Sequence, residues 1–175
     1  MDHYTSNIYF VDLQGFMDSK VFVVKELCIL PLNETKNIKH YIFRSPYSWY
    51  LLSKQDRVEA IWLKCFHHGF NWAEGWMNYN HVYSCIQPMI EDENAVIYVK
   101  GREKIAWLKT FCHYQDINCI NIENIGCTIN LNDGEYKSSV KEQHCNKHKK
   151  LVQCAHQNVL ILQNWYNKHY NNNNE

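Results

Sequence analysis

An α/β fold built on one five-stranded mixed sheet, in strand order 3-2-1-4-5, is predicted by three features of the sequence. The first quarter carries three short apolar runs of strand formers separated by turns. The remainder alternates apolar runs with segments of helical periodicity. Apolar residues make up 46% of the 175 and aromatics 14%, ample for a core and too many for general disorder.

The elements follow in order. Ile8–Val11 reads as a first strand, Met17–Lys20 as a turn, and Val21–Val24, continuing through Glu26 to Leu30, as a second strand. So short a gap makes an antiparallel hairpin. Pro31–Lys36 is another turn and His40–Phe43 a third strand. Ser53 suits a helix N-cap, with Asp56 in the first turn, where its charge favours the helix. Val58, Ile61, Trp62 and Cys65 then recur at helical spacing until Gly69. His81–Met89 is a weaker helix and Ala95–Val99 a buried strand. Gly101 opens a helix carrying Ile105, Trp107, Leu108 and Phe111, and Cys119–Ile122 is the fifth strand. A polar loop from about Leu131 to Lys150 leads to a helix over Val152–Tyr166, with Val159, Leu162 and Trp165 on one stripe. Right-handed crossovers lay the last two strands parallel to the first, on its open edge. Periodicity alone leaves this one of several α/β topologies.

Residues 1–170 read as one domain, and the asparagine-rich 171–175 as a disordered tail. Eighteen basic and eighteen acidic residues cancel, which argues against a polybasic binder. No apolar run approaches the roughly 20 residues of a membrane span. Met1–Asn7 lacks a basic region followed by an apolar one, so the expected location is intracellular, cytoplasmic or nuclear, with no membrane partner. In a reducing compartment the eight cysteines are core residues or metal ligands. Cys28, Cys65, Cys85 and Cys119 lie in apolar runs and read as core. Cys112-His113 and His67-His68 set neighbours in different directions.

A series of segments, read in order, resembles the DEDDh 3′–5′ exonucleases, a family of ribonuclease H-like fold with the sheet order given above. Phe10-Val11-Asp12-Leu13-Gln14 stands where that family has Asp-x-Glu in its first strand. His68-Gly69-Phe70 is similar to its His-Gly-Ile element, and Val99–Leu108 to its fourth strand and following helix. Gln153–Asn158 takes the place of the closing His-x-Ala-x-x-Asp. The family's chemistry needs four carboxylates around two cations and a histidine base. Here Asp12 keeps an acid, whereas Gln14, Lys104 and Asn158 stand at the other acidic positions and Gln153 at the base. Neutral amides are poor magnesium ligands and a lysine repels the ion. The resemblance therefore implies a catalytically dead version of the fold.

The Maelstrom domain, itself related to the DEDDh fold, carries a Glu-Cys-His-Cys constellation in place of the lost acids. This chain is similar in offering Glu26 in the second strand, Cys145-x-x-His148, and Cys154 before the last helix. The resemblance implies one structural zinc held by Glu26, Cys145, His148 and Cys154, with Cys127 as substitute were Glu26 turned away. With eight Cys and ten His, a Cys-x-x-His arises by chance about 0.5 times per such chain. Spacing alone thus suits an ordinary loop with a buried Cys154 nearly as well.

Lys137, Lys141, Lys147, Lys149 and Lys150, set against Glu142 alone and beside His144 and His148, form either a solvated charge run or a phosphate-binding loop that Lys104 would extend. Trp62, Trp107 and Trp165 read as core, whereas Trp49, Tyr50, Trp72 and Trp76 are the better stacking candidates, with interface or packing roles ahead of stacking for them too. The expected function is nucleic-acid binding without catalysis, foremost of RNA, single-stranded or structured. The alternatives are a protein-interaction scaffold and a residual metal-dependent nuclease.

Overall fold

The computed structural model describes residues 7–112, 116–133, 136, 145, 147–148 and 153–171. Five strands form one sheet in the order β3-β2-β1-β4-β5. β1 (Asn7–Asp18) and β2 (Val21–Pro31) are antiparallel, as are β2 and β3 (Lys39–Ile42). β4 (Ala95–Val99) runs parallel to β1, and β5 (Cys119–Asn121) parallel to β4. Four helices flank the sheet among the described residues: α1 (Lys54–Phe66), α2 (Val82–Ile90), α3 (Arg102–Phe111) and α4 (Ala155–Tyr166). None is long and apolar enough to cross a membrane.

Alternation along β1 and β2 divides the interior. Val11, Leu13, Val24, Leu27 and Ile29 face one core with Val82, Ile86, Met89 and Leu108. Phe10, Cys28 and Leu30 face the other, where Val159, Leu160, Ile161 and Leu162 of α4 pack. Asp12, Gln14 and Glu26 therefore share the α4 side of the sheet, and all three are buried.

β1 is longer than its apolar run predicts. It continues through Asp12, Gln14 and Gly15, weak strand formers held by pairing with β2. At Gly15 a side chain is excluded, since a Cβ would lie 2.2 Å from the Val23 carbonyl. The register slips after Gln14, pairing it with Glu26 but Gly15 with Val24, so Lys25 is the extra residue of a bulge. Its buried ammonium donates to the carbonyls of Trp72 (2.7 Å) and Glu74, and burial lowers its pKa to about 7. Beyond the bulge, Phe16 and Val23 join Leu52, Ala60 and Trp72 in a third cluster. The hairpin closes on Ser19 and Lys20, both at positive φ (47° and 73°), as a two-residue turn requires.

One expectation, which includes an aromatic residue, is corrected. The stripe of α1 that spacing assigns to the core faces outward: Val58, Ile61 and Trp62 are 52–62% exposed. The helix instead rests on Ala60 and half-buried Leu63. Trp72, for which packing is expected ahead of stacking, is buried against Phe16, its indole N–H donating to the Tyr47 carbonyl at 2.8 Å.

Candidate functional site

Asp12 sits at the middle of the sheet, at the point where β1 extends past the end of its pairing with β4. Its Oδ2 accepts from Gln14 Nε2 (3.0 Å) and from Asn158 Nδ2 (2.8 Å). Its Oδ1 accepts from the Lys104 ammonium, which α3 delivers from the next strand's crossover. Gln14, Lys104 and Asn158 thus gather around Asp12. A divalent ion there would have to displace a cation covalently fixed to the chain. Gln153 accepts from Asn158 Nδ2 (3.2 Å) through its carbonyl and donates to Asn132. Asn158 Oδ1 is buried with no partner among the described residues.

Glu26, one strand over, anchors a second cluster. Glu26, Cys145, His148 and Cys154 each offer a ligand atom, and these atoms all lie within 4.8 Å of one another. The two sulfurs are 3.5 Å apart, and His148 Nε2 is 3.1 Å from Glu26 Oε1. Thiolates about 2.3 Å from a shared tetrahedral ion lie roughly 3.8 Å apart, and a carboxylate oxygen and imidazole nitrogen roughly 3.3 Å, so the four need move little to close on one. The donor set therefore fits a metal ion. The His148 Nδ1–H donates to the His68 carbonyl, which fixes the tautomer and leaves Nε2 facing the cluster.

The charges are arranged by burial and hydrogen bonding. Burial alone would raise the Glu26 carboxyl, but hydrogen bonds from His148 and His40 outweigh it and hold it well below the usual carboxylate range. Burial likewise opposes a charge on His148, yet its bonds to Cys154 and Glu26 raise it above the ordinary imidazole value. Cys154 donates its thiol proton to Cys145, which raises Cys154 and lowers Cys145. Glu26 Oε2 also accepts the backbone N–H of Ala155 (3.0 Å), tying the first turn of α4 to the sheet.

His40 is the residue that sequence reasoning missed. Its Nε2 lies 2.7 Å from Glu26 Oε1, so it holds the same oxygen as His148. Only the β2–β3 register, which pairs His40 with Cys28, brings it to Glu26's face, and no motif marks that. Cys127 stays in the core beside α4, away from the cluster. Lys147 lies over the ring of half-exposed Trp76, 5.6 Å from its centre. Lys137, Lys141, Lys149 and Lys150, with Glu142 and His144, lie outside the described residues.

A cleft of about 850 Å³ opens beside the Asp12 cluster, at the carboxyl ends of β4 and β5. Six carboxamides line it: Gln14, Asn121, Asn124, Asn130, Asn132 and Gln153. Lys100, Arg102 and Lys104 line it together with Glu59, Glu103 and Glu123, and Lys100 pairs with Glu123. One wall is Trp107, stacked flat on Phe22 at 3.9 Å. No protein-family model matches the chain, and no curated protein matches it.

Proposed function

We propose that the chain is a non-cleaving ribonuclease H-like domain of DEDDh exonuclease ancestry, Maelstrom-like in its zinc staple, that binds nucleic acid, foremost RNA. The observation that carries it is the saturation of Asp12 by Gln14, Lys104 and Asn158 beside an open polar cleft that Gln14 and Lys104 line. Such a cleft supports binding more than hydrolysis. Carboxamides offer paired donors and acceptors to base edges, and the Trp107 face is a stacking surface. Arg102, exposed at the start of α3, has no salt bridge among the described residues and is available to a phosphate.

Zinc is the metal best suited to two sulfurs, one imidazole and one carboxylate. Cys145, His148 and Cys154 on one side and Glu26 on the other would join the chain before α4 to the sheet. Metal content is expected at one zinc per chain, lost in Cys145→Ser and Cys154→Ser, with chelation lowering the melting temperature. An unchanged melt after chelation refutes the staple. For RNA, filter binding at two salt concentrations is expected to show affinity that falls with salt, and Arg102→Ala to reduce that slope by about one. Absent or salt-independent binding favours the scaffold reading, which the outward apolar face of α1 supports. Labelled RNA is expected to stay intact with or without magnesium, Asp12→Ala serving as control. Magnesium-dependent cutting would restore the nuclease reading.

A further inference from the structure

We infer that the outward face of α1 is a dimer interface, on which a second copy of this chain packs its own α1 in parallel about a two-fold axis. Val58, Ile61, Trp62 and Phe66 are 62%, 52%, 54% and 70% exposed, and the Trp62 and Phe66 rings touch at 5.9 Å. The spacing i, i+3, i+4, i+8 puts all four on one stripe, the pattern by which helices pack on helices. Together they expose on the order of 500 Å² of mostly apolar surface, at the upper end of what monomers leave in one patch. With a polar rim this approaches the ~800 Å² per partner of a standard interface. Exposed Tyr50 and Leu51 just before the helix add to it.

Charge selects the second copy as occupant and sets its direction. At 100° per residue, Lys54 and Arg57 lie on one side of the stripe and Glu59 on the other, whereas Asp56 is turned inward to Ser19 and Ser53. A two-fold axis parallel to the helices lays the basic border of each copy on the acidic border of its mate. An antiparallel arrangement instead opposes like borders. In the parallel arrangement Lys54 of one copy reaches Glu59 of the other, a separation of five residues, as in parallel helix pairs. Neither residue has an ion pair among the described residues of its own chain. Cys65, partly exposed on the same stripe, would meet its own counterpart across the axis.

Sedimentation velocity of the full chain across ~1–100 μM tests this. A dimer is expected, and Trp62→Glu is expected to weaken it at least about 30-fold while leaving the circular dichroism unchanged, because Trp62 belongs to no core cluster among the described residues. Lys54→Glu is expected to weaken the dimer and Lys54→Glu with Glu59→Lys to restore it. Mild copper-phenanthroline oxidation should then join the copies through Cys65, and Cys65→Ser should abolish that link. A chain that stays monomeric throughout, or a dimer indifferent to Trp62→Glu, overturns the inference. A dimer lacking the Cys65 link overturns its parallel direction. None of these readouts depends on zinc or RNA.

Discussion

Lys104 sets an ammonium against Asp12, and a carboxylate buried as Asp12 is needs a positive neighbour. Removing one member of such a pair leaves the other uncompensated, whereas removing both need not. Lys104→Met is accordingly expected to lower stability by about 3–5 kcal/mol, and Lys104→Met with Asp12→Asn by less than that. Denaturant titration of both variants measures the difference, and equal losses would show that the pair is not coupled. His40 acts one step from the metal donors: it holds Glu26 Oε1 and so sets how that carboxylate is presented. His40→Ala is expected to reduce zinc affinity 10–100-fold in chelator competition, and His40→Gln, which keeps a donor, to reduce it less.

At the scale of elements, the sequence was most legible where local chemistry decides the conformation. Ser53 is the cap of α1, its Oγ accepting from Asp56 N at 3.1 Å. Ser53→Ala should cost about 1 kcal/mol, read from the shift in thermal unfolding. The span of β4 was equally plain, Ala95–Val99 being β-branched and apolar. What stayed hidden is tertiary. The extension of β1 through Asp12–Gly15 depends on the partner strand, and the outward turn of Trp62 on which side of α1 the sheet occupies. The grouping of Glu26, Cys145, His148 and Cys154 was legible only through resemblance, since the spacing of the last three says nothing of a glutamate some 120 residues earlier. His40 had no local signal at all.

Across the whole molecule, the Glu26–His148 pair couples folding to pH. In metal-stripped protein the lowered carboxyl contributes stability that is complete above its ordinary 4.5 and lost as pH falls through about 2. The raised imidazole contributes stability that is complete below its ordinary 6.5 and lost as pH rises through about 10. The stability advantage of stripped wild type over Glu26→Gln should therefore peak between pH 4.5 and 6.5. Zinc loading should move that optimum upward, because the ligands bind deprotonated. Urea midpoints across pH test both statements, and a flat difference would mean the pair is not formed. The tethered counterion at Asp12 has a separate effect on the molecule's surroundings. Two-metal enzymes change their electrostatic face as cellular magnesium rises and falls. Here the neutralising charge is the Lys104 side chain, bonded to the chain itself, so whatever occupies the neighbouring cleft meets a constant field through ionic starvation or plenty.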